Sequence, residues 1–127
     1  MTAIYAEIKE HLHQQNNLLY FDKCLFSGCI KKVEDDVLIE RQYLNGLPHG
    51  IQKTFFSSGQ LKKATLFTNG LENGRRVEYY ECGSKKMNAN FNSGELEGIY
   101  EEWDSNGMLI SRKTYFKGKL IAVKSCS

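Results

Sequence analysis

No stretch of this chain approaches the roughly 18 consecutive apolar residues that a membrane-spanning helix requires. Charge of one sign is also lacking: 17 Lys and Arg against 15 Asp and Glu leave a formal net charge of +2. That balance creates no strong field, so it neither demands nor excludes nucleic acid. The four cysteines, Cys24, Cys29, Cys82 and Cys126, form no CxxC pair, and reduced cytosolic thiols are expected. The first fifteen residues carry Glu7 and Glu10 where a signal peptide needs an unbroken apolar run, so a cytoplasmic chain without a cleaved leader is expected. There is no nucleophile elbow, phosphate loop or HExxH motif.

What is present is periodicity. Gly46, Gly70, Gly94 and Gly118 lie 24 residues apart, as do Gly50, Gly74 and Gly98, and again Gly59, Gly83 and Gly107. Ten of the eleven glycines therefore fall into three phases of one period, which marks a tandem repeat over residues 43–120. Tyr43, Phe67, Phe91 and Tyr115 keep the same beat, and so do Phe55, Tyr79 and Trp103. Ser57-Ser58-Gly59, Glu81-Cys82-Gly83 and Ser105-Asn106-Gly107 each read as a three-residue hairpin loop closed by a left-handed glycine. Such loops pair Phe55 with Leu61, Tyr79 with Lys85 and Trp103 with Leu109. The connection through Asn69-Gly70-Leu71-Glu72-Asn73-Gly74 reads as a longer turn with two glycines. The implied fold class is mainly β: an elongated single-layer antiparallel meander of 24-residue β-hairpin repeats, with a short N-terminal helix as cap.

The whole chain, 1–127, reads as one domain. Residues 1–20 form the helical cap, with a helix over 3–16 drawn from Ile4, Ile8 and Leu12 and with Thr2 as N-cap. Residues 21–42 read as a degenerate repeat, with Asp35 in the phase of Gly59 and Val37 in that of Leu61. Residues 43–127 hold the repeats and a C-terminal edge strand near 120–124, blunted by Lys119 and Lys124.

Alternation along the strands assigns odd-numbered residues to a buried face, Trp103 included, and even-numbered residues to an exposed one. The even face carries Phe56, Leu66, Tyr80, Tyr100, Ile110 and Phe116 among Lys62, Arg76, Lys86 and Arg112. Aromatics beside basic residues are the composition of protein-interface cores. Phe56, Lys62, Arg76, Tyr80, Lys86, Tyr100, Arg112 and Phe116 are therefore the candidate partner-binding residues. The same composition would also suit stacked bases, an anionic membrane, or a face covered by the N-terminal helix or a second copy.

No catalytic, cofactor or metal-binding residues are expected. His11 and His13 would diverge on a helix, and Cys24 and Cys29 form a C-x4-C pair without a second half. Glu101 and Glu102, neighbours in a strand of the acidic third repeat, point to opposite faces and cannot work as a pair across a cleft.

Residues 43–50 (YLNGLPHG), 67–74 (FTNGLENG) and 91–98 (FNSGELEG) resemble MORN repeats, and more closely the variant of bacterial MORN-type antitoxin proteins. Ordinary MORN units often place another glycine where this chain has Gln52, Arg76 and Tyr100. The resemblance implies a non-catalytic scaffold that binds another protein, a cognate toxin, and neutralises it by occlusion. A protein partner is expected ahead of nucleic acid. The alternative that ordinary MORN repeats imply is a peripheral membrane or phospholipid-binding module.

Overall fold

The computed structural model describes residues 2–125. Each glycine phase marks a different local event. At the first loop the Gly59 amide donates to the Phe56 carbonyl at 2.9 Å, and the Phe56 amide donates to the Gln60 carbonyl at 2.8 Å. Gly59 has φ +93°, so this is a type I turn closed by a left-handed glycine. The same two bonds recur at Tyr80, Gly83 and Ser84 and at Asp104, Gly107 and Met108. Phe55 faces Leu61, Tyr79 faces Lys85 and Trp103 faces Leu109, as the spacing predicts.

The other connection is tighter than expected. Asn45, Asn69, Ser93 and Lys117 have φ of 47–49°, and the glycine after each has φ of 79–88°. Two successive positive φ values make the two-residue hairpin turn that matches strand twist. Thr68 therefore pairs with Leu71 directly across Asn69-Gly70. The second glycine of each motif belongs to a separate irregularity: Glu72 faces Phe67, the register then jumps around Gly74, and Arg76 faces Thr65.

The strands in chain order are β1 (Thr2–Ile4), β2 (Leu12–Gln15), β3 (Leu18–Phe21), β4 (Cys24–Leu25), β5 (Gly28–Glu34), β6 (Val37–Leu44), β7 (Leu47–Pro48) and β8 (Gly50–Phe55). They continue with β9 (Leu61–Thr68), β10 (Leu71–Tyr79), β11 (Lys85–Asn92), β12 (Glu95–Leu96), β13 (Gly98–Trp103), β14 (Leu109–Phe116) and β15 (Lys119–Ser125). Twelve form one sheet in the order β1-β5-β6-β8-β9-β10-β11-β13-β14-β15, with β7 on β6 and β12 on β11. All its pairs are antiparallel except β1 on β5. The sheet ends on β15, the predicted C-terminal edge.

The cap differs from the expected helix over 3–16. Only α1 (Tyr5–Ile8) and one 3₁₀ turn (Lys9–His11) are helical, and Ile4, not Thr2, stands at the N-cap with no side-chain bond. The apolar spacing serves another purpose: Tyr5, Ile8 and Leu12 pack on a cluster of Leu19, Phe26 and Ile30 beside Phe21 and Tyr43. The cap is completed by a small sheet of β2, β3 and β4. The hairpin of β5 and β6 also departs from the repeat. Its turn is Asp35-Asp36, with φ of 52° and 63°, and Glu34 faces Val37. Asp35 is one of two turn residues there and does not stand in for Gly59. No helix of the described residues is long and apolar enough to cross a membrane.

Successive repeats are joined through their turns. The Gly70, Gly94 and Gly118 amides donate to the Pro48, Glu72 and Leu96 carbonyls at 2.8, 2.8 and 2.9 Å. A side chain supports each junction. His49 Nδ1 accepts from the Asn69 amide at 3.1 Å, Asn73 Oδ1 from the Ser93 amide at 3.1 Å, and Glu97 Oε2 from the Lys117 amide at 2.8 Å. At the cap, Gly46 donates to the Phe26 carbonyl and accepts from the Leu19 amide, both at 2.8 Å.

Two stability outcomes are expected. Gly46 and Gly59 share a left-handed backbone, but a Cβ at Gly46 would lie 2.9 Å from the Leu19 carbonyl oxygen, while one at Gly59 meets nothing within 4 Å. Gly59→Ala should cost about 1 kcal/mol from backbone strain, and Gly46→Ala about 3 kcal/mol once the backbone clash is added. Equal shifts in urea midpoint would contradict the close docking of the cap. Asn73→Ala should cost about 1 kcal/mol by removing the acceptor for Ser93. Asn73→Asp, which keeps an acceptor there, should cost measurably less.

Candidate functional site

The three-residue loops decide which side chains share a face. Each leaves one residue of the returning strand unpaired: Thr54 faces Lys63 while Phe55 faces Leu61, so Lys62 is extra. Lys86 and Ile110 are the equivalents. One extra residue reverses parity between neighbouring strands. Odd and even positions therefore do not form two faces.

One face is built from Gln52, Thr54, Lys63, Thr65, Arg76, Glu78, Met87, Ala89, Tyr100 and Glu102, which oppose one another along the ladders. Thr65, Met87 and Ala89 on it are only 3%, 6% and 0% exposed. Among the described side chains of β8–β15 these alone are buried, so we call this the inner face. The outer face carries Lys53, Ala64, Val77, Asn88, Glu101 and Arg112 in one cross-strand row. The expectation that odd-numbered side chains form the buried face is thus corrected. Trp103 stands beside a loop and is only partly buried.

The eight candidate residues consequently lie in four places. Arg76 and Tyr100 are on the inner face. Arg112 is on the outer face, where its Nη2 and Nε donate to Glu101 Oε2 at 2.7 and 3.0 Å. Phe56, Lys62, Tyr80 and Lys86 follow the loop edge, with the Lys62 and Lys86 ammonium groups each 5.6 Å from the Phe56 and Tyr80 ring centroids. Tyr80 also donates its hydroxyl to the Trp103 carbonyl at 2.8 Å, joining neighbouring repeats. Phe116, 54% exposed, lies at the opposite edge. Leu66 is on the outer face and Ile110 is the unpaired bulge residue. The even-numbered patch is therefore not one continuous surface.

Side chains outside that set make the more coherent surface. A depression of about 270 Å³ on the inner face is lined by Ile39, Arg41, Tyr43, Gln52, Thr54, Lys63, Thr65, Phe67, Glu72 and Arg76, with Glu40, Lys53 and Pro48 at its margins. A second depression, under the cap, shares Ile39, Arg41 and Tyr43 with it, so the two adjoin. In the first, Arg76 Nη2 lies 2.8 Å from Glu72 Oε1, and its guanidinium lies 5.4 Å from the Phe91 ring centroid. That Glu72 oxygen makes no properly directed hydrogen bond, and neither do the buried Thr65 Oγ1 and Arg76 Nε. The contact is an ion pair with poor hydrogen-bond geometry. Their shared face was discoverable from sequence, because the loop type itself implies the extra residue and the parity switch.

Further along, Tyr100 faces Lys113 and meets Tyr115 edge-on at 6.2 Å. Burial, then the Glu102 carboxylate beside it and the charge of Glu78, push its phenol up to about 12.

Ordinary structural roles absorb much of the remaining chemistry. Asp104 Oδ1 accepts from the Asn106 and Met108 amides. His11 bonds Asp22 at 2.9 Å and stacks on Phe21, while His13 stacks on Tyr20. Cys24, Cys29 and Cys82 are free thiols, and Cys126 lies outside the described residues. Burial raises the Cys29 pKa, and the Ser84 hydrogen bond lowers that of Cys82. Among the described residues no three His, Cys, Asp or Glu side chains gather as metal ligands.

With that geometry in place, the hairpins find their counterpart. The family described as the MORN repeat variant matches residues 48–69 and 96–117. Two hairpins of this chain carry the MORN pattern. One match covers β8 and β9, the other β13 and β14, and each runs through a three-residue loop to the following tight turn. The intervening hairpin of β10 and β11 has the same loop, turn and junction bonds. No curated protein matches the chain.

Tyr100 supplies an alkaline test. Its phenol pKa is pushed up to about 12 in the folded chain, whereas an unperturbed tyrosine ionises near 10. Its contribution to stability is present below pH 10 and is lost as pH rises through the folded pKa, because the unfolded chain releases that proton first. Tyr100→Phe should flatten the fall in unfolding midpoint across that window and remove the latest step of the tyrosinate absorbance titration. An unchanged titration would place Tyr100 in open solvent.

Proposed function

We propose that this chain is a non-catalytic protein-binding scaffold whose inner face receives its partner. The observation that carries this reading is the inner-face depression, in which buried polar atoms of Thr65 and Arg76 lack partners of their own. Such atoms are costly unless something satisfies them. A preformed surface also loses little conformational entropy on docking. MORN-pattern hairpins suit a repeat scaffold of this kind.

The finer reading is an antitoxin or immunity protein of the cytoplasm, which neutralises a cognate toxin by covering its active site or a surface it needs. It is supported by the resemblance of the turn motifs to the bacterial MORN-type antitoxins, and the free thiols fit a reducing compartment. The phospholipid reading loses support because the basic residues proposed for it do not converge. Arg76 and Arg112 lie on opposite faces, and each is held by a carboxylate.

The test begins with affinity capture from the native cell and identification of the partner, followed by reconstitution from purified components. Lys63→Glu with Lys113→Glu, on the inner face, should weaken the complex at least about tenfold, or about 1.4 kcal/mol, without moving the unfolding midpoint. Arg75→Glu with Lys124→Glu, on the outer face, should leave it intact. For a toxin, one equivalent of the chain should abolish the partner's activity. Equal loss from the outer pair would move the site. Pelleting with anionic vesicles at low salt, with no protein captured, would replace this reading with the membrane one.

A further inference from the structure

The pocket between β6, β8, β9 and β10 contains more hydrogen-bond donors than acceptors. Its cations are Arg41, Lys53, Lys63 and Arg76, and its carboxylates are Glu72 and Glu40, the second of which lies 3.7 Å from the Lys31 ammonium group. Glu72 is already neutralised by Arg76 at 2.8 Å. Neither Arg41 nor Lys63 forms an ion pair among the described residues. Arg76 Nε, which can only donate, has no partner. Thr65 is 97% buried by its 3% exposure, lines the same pocket, and its hydroxyl has no partner either.

Gln52 cannot supply the missing acceptor. Its amide is used at both ends, with Oε1 accepting from the Gln42 amide at 2.7 Å and Nε2 donating to the Gln42 carbonyl at 2.8 Å. The pocket therefore presents two unpaired inner-face cations, Arg41 and Lys63, an orphan guanidinium N–H and an orphan hydroxyl, beside one carboxylate oxygen, Glu72 Oε1, that also makes no directed bond. The surplus of cations and N–H donors favours an anion that accepts hydrogen bonds.

We propose that this pocket receives the carboxylate of one Asp or Glu side chain from an extended segment of the partner protein. This rests on the inner face being a protein-binding surface and names the chemistry that the partner must bring. Size favours one side chain, since about 270 Å³ lies at or below the lower end of pockets that hold whole small molecules. Charge favours a carboxylate over a phosphate, because Glu72 remains in the wall and would repel a dianion more strongly. Phe67 offers apolar surface for the side chain's stem. Arg76 is held in place by Glu72 on one side and the Phe91 ring on the other, so its free N–H is oriented before the ligand arrives.

The minimal probe is N-acetylglutamate N-methylamide, added at millimolar concentration to the isotopically labelled full chain and followed by amide resonances. Saturable shifts are expected at Lys63, Thr65 and Arg76, with the glutamine analogue at least about tenfold weaker. Lys63→Gln should weaken binding several-fold. Thr65→Val should do the same without lowering the unfolding midpoint, since it removes a hydroxyl that bonds nothing in the free protein. A merely structural threonine would show the reverse: lost stability and unchanged affinity. That result would overturn the proposal, as would equal binding of the glutamine analogue, tighter binding of inorganic phosphate, or no saturable shift. Its failure is separable from that of the scaffold reading. If the inner-face charge variants still abolish partner capture while the probe does not bind, the scaffold stands and the carboxylate pocket falls. If the probe binds and no partner is captured, the pocket stands alone.

Discussion

The bond on which the rest of this sheet depends runs from each turn glycine back to the preceding repeat: Gly70 to Pro48, Gly94 to Glu72, Gly118 to Leu96. A single antiparallel layer has no second sheet to pack against, and few of its apolar side chains are buried. Ladder bonds align neighbouring strands but leave the angle between hairpins soft. The turn amide fixes that angle at the sheet's margin. It can do so only because a two-residue left-handed turn directs the glycine N–H away from its own hairpin. The side chains of His49, Asn73 and Glu97 then hold the residue before the glycine. Three residue types at one position share one capability, an acceptor of suitable reach, so periodicity there is of function and not of identity.

That distinction explains what was legible in the sequence. Glycine phases state backbone requirements directly, so the repeat, its loops and the pairs Phe55–Leu61, Tyr79–Lys85 and Trp103–Leu109 could be read without coordinates. The faces could not be read by counting odd and even positions. Lys62, Lys86 and Ile110 are surplus residues in their strands, and each reverses the count for the rest of its strand. Alternation holds within a strand, and the loop had already declared a bulge at its end. The expected helix failed differently. Ile4, Ile8 and Leu12 do have helical spacing, but Leu19, Phe26 and Ile30 offered a packing site that a chain bending from α1 into β2 could reach.

The candidate site was less visible than the fold. The composition that drew attention, aromatics interleaved with lysine and arginine, is divided by the structure between two edges and two faces. Much of it is locally satisfied, by Glu101 for Arg112 and by the Trp103 carbonyl for Tyr80. A binding surface is better marked by what stays unsatisfied. Thr65 is an ordinary residue in sequence and is conspicuous only once its hydroxyl is seen to be buried without a partner.

The cap and the inner face are linked by the same close approach. The Gly46 backbone bonds both Leu19 and Phe26, which seats the small sheet over Ile30 and Tyr43 at the N-terminal end of the inner face. Tyr43 and Arg41 then line both depressions, so the cap bounds the inner face as well as closing one end of the sheet. At the other end β15 leaves Val123 facing Lys113 in the open, 56% exposed. The inner face is therefore polar in direction, bounded by an apolar cluster at one end and open along a strand edge at the other. An extended segment lying on it would meet the cap, the charged pocket and the Tyr100–Tyr115 pair in a fixed order, and that order would distinguish the two directions in which a peptide could enter.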